Sequence, residues 1–179
     1  EKLCREALKE KPDDVNGLRL LASIASKMEQ KQDAIILLER AVELKPKFSG
    51  AWGDLAESYS EVDDYGKALD AVQRVIKLQP QLPFGFMIRG GILGKMSDHE
   101  GAIKSYQDAL NVEPDHMGSN MGLGNVLKTV GRFEESVAAY KKCIEIQPLF
   151  AEAYWSLANL KTYTFDESEI KKMEEHAAN

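Results

Sequence analysis

Two glycine-rich strings in the middle of the chain have the residue types of nucleotide-binding loops. The first, RGGILGKM from Arg89 to Met96, approaches the pattern Gly-x-x-x-x-Gly-Lys-Ser/Thr, in which backbone N–H groups cradle phosphates and a hydroxyl binds Mg²⁺. However, Arg89 occupies the first glycine position and Met96 the hydroxyl position. The second, GLGNVL from Gly122 to Leu127, begins like a dinucleotide loop but lacks the third glycine. Neither string follows a predicted strand, so we interpret both as places of close helix packing.

Other catalytic or metal-binding groups are scattered along the sequence. His99, His116 and His176 lie far apart, and no set of His, Cys, Asp and Glu has the spacing of metal ligands. No serine, cysteine or lysine can be assigned a base and an orienting partner. The Asp63-Asp64 pair fits a helix cap better than an acid/base pair. We therefore predict a chain that is not an enzyme and that binds no metal and no cofactor.

Composition excludes two further classes of partner. The 179 residues carry a formal charge of -6, which argues against a nucleic-acid surface. The longest apolar run, Ala34 to Leu38, is too short to span a membrane. Two cysteines, Cys4 and Cys143, weakly favour a reducing compartment, so we predict a cytoplasmic protein. Because the first residue is Glu1 rather than methionine, we expect a fragment of a longer protein.

The most regular feature is the spacing of five prolines, which predicts a repeat architecture. They stand 34 residues apart, at Pro12, Pro46, Pro80, Pro114 and Pro148. Small residues recur at one position of this period and larger apolar residues at another, which is what closely packed helix pairs require. The small positions are Ala22, Ala56, Gly90, Gly124 and Ala158, and the large ones are Leu18, Trp52, Phe86 and Tyr154. Proline cannot continue a helix, so we expect the proline of each period to end the last helix of that period.

Within each period the apolar spacing predicts two helices. The predicted first helices span about 15–28, 49–62, 83–96 and 117–130, and the second helices about 31–44, 65–78, 99–112 and 133–146. The fold class is therefore all-α, an α-α superhelix of antiparallel helix pairs. Arg89 and Asn120 stand where other units have apolar residues, and we expect these two places to be looser or more hydrated.

This pattern resembles the tetratricopeptide repeat, most fully in AWGDLAESYSEVDDYGKALDAVQRVIKLQP (Ala51 to Pro80) and GLGNVLKTVGRFEESVAAYKKCIEIQP (Gly122 to Pro148). The resemblance implies a single solenoid, in which Cys4 and Cys143 are too far apart for a disulfide. The expected divisions are a half repeat at 1–14, repeats at 15–48, 49–82, 83–116 and 117–150, and a degenerate fifth repeat with a capping or linker helix at 151–179.

Both ends depart from a complete repeat. The N-terminal half repeat leaves an apolar face uncovered, which makes it a candidate surface for self-association. After Tyr163 the repeat pattern stops, and Thr164 to Glu167 reads as a capping box that opens a helix at about 166–177. The segment AYWSLANLKTYTFDESEIKKM, from Ala151 to Met173, resembles the junction between a tetratricopeptide array and a sulfotransferase domain in bacterial proteins. That resemblance implies a recruitment module for a sulfotransferase domain outside this chain.

The tetratricopeptide resemblance also implies a concave groove, lined by the first helices, that holds a protein or peptide segment. It should change from acidic through a methionine- and glycine-lined middle to a polar end with an aromatic. For Met87, Met121 and Trp155, ordinary helix packing is an open alternative. The groove candidates are Asn16, Arg19, Ser23, Asp54, Glu57, Glu61, Phe84, Met87, Gly91, Met121, Asn125, Lys128, Trp155 and Asn159.

Three functions follow from these patterns. The first is a non-catalytic scaffold that binds a protein or peptide, with recruitment for a sulfotransferase as its specific form. The second is a structural arm, serving dimerisation or spacing for a missing catalytic domain. The third is the repeat array of an O-linked glycosyltransferase-like protein, whose paired groove asparagines are only half matched by Asn125 and Asn159.

Overall fold

The computed structural model describes residues 11–160 and 162–177, and these ranges fold into ten α-helices without a strand. The predictions made for residues 1–10, including Cys4 and most of the half repeat, lie outside the described residues. The helices are α1 Val15–Lys27, α2 Lys31–Leu44, α3 Ser49–Glu61, α4 Tyr65–Leu78, α5 Phe84–Lys95, α6 His99–Val112, α7 Met117–Thr129, α8 Phe133–Ile146, α9 Ala151–Ala158 and α10 Glu167–Ala177. The all-α fold predicted from the sequence is confirmed.

The turn inside each helix pair has the same backbone geometry. Glu29, Asp63 and Ser97 have φ angles of 60°, 60° and 62°, and Gly131, at the same place in the fourth unit, has φ 80°. This left-handed conformation ends one helix and reverses the chain into the next. Only the fourth unit uses glycine there, the residue that adopts this conformation without a steric cost.

The units stack so that the first helices form the inner surface. Each second helix packs on the first helix of the following unit, as α2 does on α3 and α4 on α5. The first helices also contact one another in series, α1 with α3, α3 with α5 and α5 with α7. The odd-numbered helices therefore line one continuous face of the superhelix, which is the face predicted to hold a partner.

Small residues permit the close helix packing that the period predicted. A Cβ atom placed on Gly90 would lie 2.9 Å from Tyr106 Cε1, and one on Gly122 would lie 2.5 Å from the same atom. Gly124 would meet Tyr140 in the same way, with a Cβ 2.6 Å from its Cε1. The first glycine-rich string lies in α5 up to Lys95 and the second lies in α7, and Gly90, Gly122 and Gly124 in them pack against tyrosine rings.

Asn120 and Arg89, the polar residues that stand where other units have apolar ones, are not loosely packed. This corrects the expectation that these two places are looser or more hydrated. Asn120 is only 5% exposed, and its Nδ2 donates hydrogen bonds of 3.0 Å to the Pro114 carbonyl and 3.2 Å to the His116 carbonyl. Trp52, at the same position two units earlier, donates from Nε1 to the Pro46 carbonyl at 2.9 Å. An amide thus replaces the indole N–H on the corresponding proline carbonyl.

Arg89 also has defined partners, at a half-buried position. Its Nε donates to Ser105 Oγ at 2.9 Å, and Nη2 pairs with the Asp108 carboxylate at 2.7 Å. Its guanidinium also lies 5.5 Å from the centroid of the Phe86 ring. Because the charge and its donors have partners on the second helix of the same unit, this position is polar without being open.

The fifth unit departs from the pattern in its second helix. Helix α10 begins at Glu167, 34 residues after α8 begins at Phe133, so the chain length of a full unit is retained. Ile170, however, occupies the position held by Ala34, Ala68, Ala102 and Ser136 in the complete units, and it is partly exposed. A bulky residue at the position of closest helix approach prevents the packing seen in those units.

The capping box of α10 lies two residues later than the sequence suggested. Asp166 Oδ1 accepts a 2.9 Å hydrogen bond from the Glu169 N–H, and Glu169 Oε2 accepts a 3.0 Å hydrogen bond from the Asp166 N–H. This reciprocal pair is the capping-box geometry, with aspartate rather than Thr164 as the cap. Within the described residues, no helix combines the length and apolar character needed to cross a membrane.

Candidate functional site

The inner face of the first two units contains a concavity of about 590 Å³ between α1 and α3. Its wall combines charged and polar side chains with the apolar Leu20, which is 54% exposed. Six predicted groove residues line it together: Asn16, Arg19, Ser23, Asp54, Glu57 and Glu61. The resemblance to the tetratricopeptide repeat implied that these side chains share the inner surface.

A second concavity, of about 350 Å³, continues the surface across α3, α5, α6 and α7. Glu57 and Glu61 line both concavities, so the two form one groove through the first three units. The groove candidates Met87 and Gly91 line the second concavity, and Met87 also packs against the core of the first units. It is also lined by Ser60, Ile88, Ile92, Lys95, Tyr106 and Gly118, which were not among the predicted site residues.

Several charges in this groove are held by neighbouring groups. Arg19 Nε lies 2.5 Å from Asp54 Oδ2, and this ion pair joins α1 to α3. The Arg19 guanidinium also lies 4.8 Å from the centroid of the Phe48 ring. Lys95 Nζ donates to Ser60 Oγ at 3.1 Å, and Ser26 Oγ donates to Glu61 Oε2 at 3.0 Å. These contacts fix the positions of Arg19 and Lys95 and pair the charge of Arg19 with that of Asp54.

Glu57 stands at the junction of the two concavities. Within the described part of the chain it has no hydrogen bond or ion pair of its own, although its side chain is open to the groove. The surrounding walls reduce its hydration, which raises the pKa of its carboxyl above the ordinary value, and Asp54 and Glu61 raise it further. Lys95 acts in the opposite direction without cancelling these effects.

Two of the predicted groove residues serve packing. The Phe84 ring lies against Gly53, where an added Cβ would be 2.7 Å from Phe84 Cε1, and it is partly buried against the core of the first units. Met121 is 7% exposed and packs in a cluster with Tyr140 and Cys143. For Met121 the packing alternative therefore describes its position.

The remaining predicted residues lie toward the C-terminal end. Asn125 Oδ1 accepts a 2.7 Å hydrogen bond from the Tyr140 hydroxyl, and Lys128 Nζ lies 6.0 Å from the centroid of that tyrosine ring. Trp155 is 65% exposed, whereas Asn159 Nδ2 donates to the Trp155 carbonyl at 2.8 Å within its own helix. These four side chains do not line either of the concavities described above.

Sequence reasoning missed Tyr106 as a groove residue. Its side chain is buried, with 7% of the residue exposed, yet it lines the second concavity. Within the described residues its hydroxyl has no hydrogen-bond partner, and burial raises its pKa above the ordinary value. The available signal was the shared register of Tyr106 and Tyr140, read together with the residue that faces each of them.

Chemistry of other kinds has little support in the described residues. No group of His, Cys, Asp and Glu there is arranged to hold a metal ion. Cys143 is fully buried, and burial raises the pKa of its thiol to about 11. His116 caps α7 by accepting from the Ser119 N–H at 3.2 Å. The side chain of His176 lies outside the described residues.

Solved structures with the same architecture are numerous. The crystal structure of MamA is 25% identical, with a TM-score of 0.67, and the match covers 83% of this chain and 87% of that one. TTC0263, a tetratricopeptide protein of Thermus thermophilus, is 23% identical with a TM-score of 0.78, covering 86% of this chain and 84% of that one. YrrB, described as having an unusual peptide-binding site, is 17% identical with a TM-score of 0.60, covering 98% and 91%.

Family membership rests on the sequence as well as on the fold. No curated protein sequence matches the chain. The family profile of the tetratricopeptide repeat matches residues 20–48, 49–82, 86–116 and 118–148, which together make up more than half of the chain. These matches coincide with the four helix pairs from α1 to α8. The chain therefore belongs to the tetratricopeptide repeat family.

Proposed function

We propose that this chain is a non-catalytic scaffold that holds a protein or peptide segment in the groove formed by its first helices. The observation that carries the proposal is the continuity of the two concavities, which share Glu57 and Glu61. A segment laid along this groove contacts side chains from three successive first helices, α1, α3 and α5, and reaches the backbone of α7 at Gly118. Such a surface offers many weak contacts along a line and suits an extended chain better than a compact small molecule.

The family and the chemistry of the groove support this proposal. Tetratricopeptide arrays are typically scaffolds for protein or peptide binding and are generally non-catalytic. The groove walls mix apolar groups, the exposed Leu20 and the half-buried Met87, with carboxylates and cations. Apolar contacts supply affinity, methionine adapts to varied partners, and charges set the direction and register of a bound segment.

A peptide-display selection on the full chain tests the proposal. Nine-residue random peptides are selected on the wild-type protein, and their affinities are then measured for the variant Glu57→Lys/Glu61→Lys. We expect at least a tenfold loss, because reversing both charges alters the centre of the groove. Failure to select any peptide, or equal affinity for this variant, contradicts the groove assignment.

The matched control places the same charge change on the outer surface. Glu43→Lys/Asp70→Lys alters two exposed carboxylates on the second helices α2 and α4. This variant should bind selected peptides within about twofold of wild type, since surface changes away from a site have small effects. Loss of binding in the control alone would place the peptide on the outer face.

The finer role in a sulfotransferase stays a proposal supported by the resemblance of residues 151–173. In that role the groove recruits a protein substrate for a catalytic domain elsewhere in the parent protein. A cytoplasmic location, self-association through residues 1–14, a purely structural arm and a glycosyltransferase-like parent are likewise predictions. Sequencing the gene beyond the codon for Asn179 separates these parents, because a phosphosulfate-binding domain there supports the sulfotransferase role and a stop codon contradicts it.

A further inference from the structure

The third and fourth units carry a tyrosine at the same position of the second helix, but the two tyrosine hydroxyls differ in their hydrogen bonding. In the fourth unit the Tyr140 hydroxyl donates to Asn125 Oδ1 at 2.7 Å. In the third unit Tyr106 takes the place of Tyr140, 34 residues earlier, and Gly91 takes the place of Asn125. Glycine has no side chain to accept the hydrogen bond. The Tyr106 hydroxyl therefore remains without a partner among the described residues, at the wall of the second concavity.

Neighbouring glycines fix the direction of this hydroxyl. Gly90 and Gly122 lie against the Tyr106 ring so closely that a Cβ on either would come within 3.0 Å of it. The ring is thus held between α5 and α7. A Cβ on Gly91 would instead lie 3.7 Å from the Tyr106 hydroxyl oxygen, at ordinary contact distance. The space beside the hydroxyl is open on the side of Gly91, which faces the groove.

The fourth unit indicates which chemical group satisfies such a hydroxyl. There the acceptor is the oxygen of a carboxamide, the side chain of Asn125. A main-chain peptide bond presents the same kind of oxygen, and glycine at position 91 lets a backbone approach closely because no side chain intervenes. The Tyr106 hydroxyl opens onto the groove, so a peptide that displaces water from it must supply another hydrogen-bond partner or leave the hydroxyl unpaired. An extended peptide therefore supplies the missing acceptor.

Charge on the same wall favours one kind of side chain on that peptide. Glu57 and Glu61 line the concavity that contains Tyr106, and Glu57 has no hydrogen bond or ion pair within the described part of the chain. The cation on this wall, Lys95, is held by Ser60 Oγ at 3.1 Å. A ligand cation placed beside Glu57 interacts favourably with Glu57 and Glu61, whereas a ligand carboxylate there meets two like charges, since Asp54 is already paired with Arg19.

We propose that the groove binds an extended peptide through a hydrogen bond from the Tyr106 hydroxyl to a main-chain carbonyl over Gly91, with a neighbouring lysine or arginine of the peptide beside Glu57. This inference rests on the proposed function and specifies the partner as a basic, extended segment. It adds Tyr106 as the residue that binds the peptide backbone and Glu57 as the residue that selects a basic side chain on the peptide. The two contacts together fix the register of the segment along the groove.

The experiment compares peptides selected from a nine-residue random library on wild-type protein. Their affinities are measured by fluorescence polarisation for Tyr106→Phe, which removes the hydroxyl, and Gly91→Asn, which supplies an internal acceptor. Each should weaken binding roughly five- to tenfold, the loss expected for one hydrogen bond. Tyr140→Phe is the matched control, because its hydroxyl is already bonded to Asn125. This control should leave binding within about twofold.

Thermal unfolding of each variant guards against loss of fold. Gly91→Asn should keep or raise the melting temperature, because it replaces a helical glycine and pairs the hydroxyl. Selected peptides should be enriched in lysine and arginine, and truncation of that basic residue to alanine should be non-additive with Glu57→Gln. Single side-chain truncations of the peptide should be additive with Tyr106→Phe, since the proposed acceptor is in the main chain.

The results separate this inference from the proposed function. Peptides that bind wild type but tolerate Tyr106→Phe and Gly91→Asn overturn the inference and leave the groove function standing. Selection of acidic rather than basic peptides also overturns it. Absence of any selected peptide removes both proposals together.

Discussion

The Tyr140 hydroxyl donates a 2.7 Å hydrogen bond to Asn125 Oδ1, joining the two helices of the fourth unit at a fully buried ring. The ring itself fits against Gly124, which leaves it little freedom to turn. Because Tyr140 is fully buried, its hydroxyl cannot replace the hydrogen bond to Asn125 by one to bulk water without a local rearrangement.

Replacement of Asn125 by alanine should therefore destabilise the fold. We expect Asn125→Ala to lower the free energy of unfolding by about 1 kcal/mol, the usual cost of losing one hydrogen bond. Urea denaturation followed by circular dichroism measures the change. The control is Asn159→Ala, because among the described residues the Asn159 amide bonds only to the Trp155 carbonyl four residues earlier. A change within about 0.5 kcal/mol is expected there, and equal losses in both variants would contradict the role given to Tyr140.

Two glycines on the first helices should respond to alanine with opposite signs. A Cβ on Gly124 would lie 2.6 Å from Tyr140 Cε1, whereas a Cβ on Gly91 meets nothing nearer than the Tyr106 hydroxyl at 3.7 Å. Overpacking costs about 1 to 3 kcal/mol, which exceeds the gain of about 0.8 to 1 kcal/mol from replacing a helical glycine. Gly124→Ala should thus destabilise the chain, and Gly91→Ala should stabilise it by nearly 1 kcal/mol. Chemical denaturation of the two variants side by side decides this, and a shared sign would refute the packing argument.

The fold could be predicted because the repeat is encoded redundantly. Every unit supplies a proline, small residues and larger apolar residues at fixed positions, so an error in one unit does not shift the others. Polar exceptions were harder to interpret, since their outcome depends on partners distant in sequence. Asn120 finds the Pro114 carbonyl and Arg89 finds Asp108, and neither pairing follows from a pattern of apolar residues.

The groove could be predicted only as far as the register determines which way a side chain points. The resemblance to the tetratricopeptide repeat, applied along the register, put Arg19, Asp54 and Glu57 on the inner face, where they line one concavity. It could not decide between packing and exposure for Met121 and Trp155, because that choice depends on how neighbouring units fill space. Met121 is covered by the core cluster of the fourth unit, whereas Trp155 in α9 is 65% exposed.

The thiol of Cys143 should be chemically inert in the native protein. Burial raises its pKa to about 11, so only about a thousandth of it is thiolate at pH 8, and the sulfur is shielded from reagents. In a Cys4→Ser background, iodoacetamide at pH 8 should label the unfolded chain in urea far faster than the native one. Mass spectrometry reads the labelled fraction with time, and comparable rates in the two states would show that the site opens readily.

Neutralising Glu57 should stabilise the fold at neutral pH but not in acid. Its pKa is raised in the folded state by reduced hydration and by Asp54 and Glu61. A carboxyl whose pKa is raised in the folded state does not reduce the free energy of unfolding below its unfolded-state pKa of about 4.3. It lowers that free energy as the pH rises through its folded-state pKa. Glu57→Gln should therefore have a higher free energy of unfolding than wild type at pH 7, with the difference vanishing near pH 4.

Glu135→Gln provides a control of opposite sign for this effect. The Arg132 guanidinium, which bonds the Glu135 carboxylate at 2.7 Å, lowers the pKa of that carboxyl. Its contribution is present above the unfolded value and is lost as pH falls through the folded one. Glu135→Gln should accordingly be less stable than wild type at pH 7 and approach it in acid. Urea titrations of both variants at pH 7 and pH 4 test the pair. If Glu57→Gln followed the same direction as Glu135→Gln, the groove would not hold the unfavourable negative charge that makes it receptive to a basic segment.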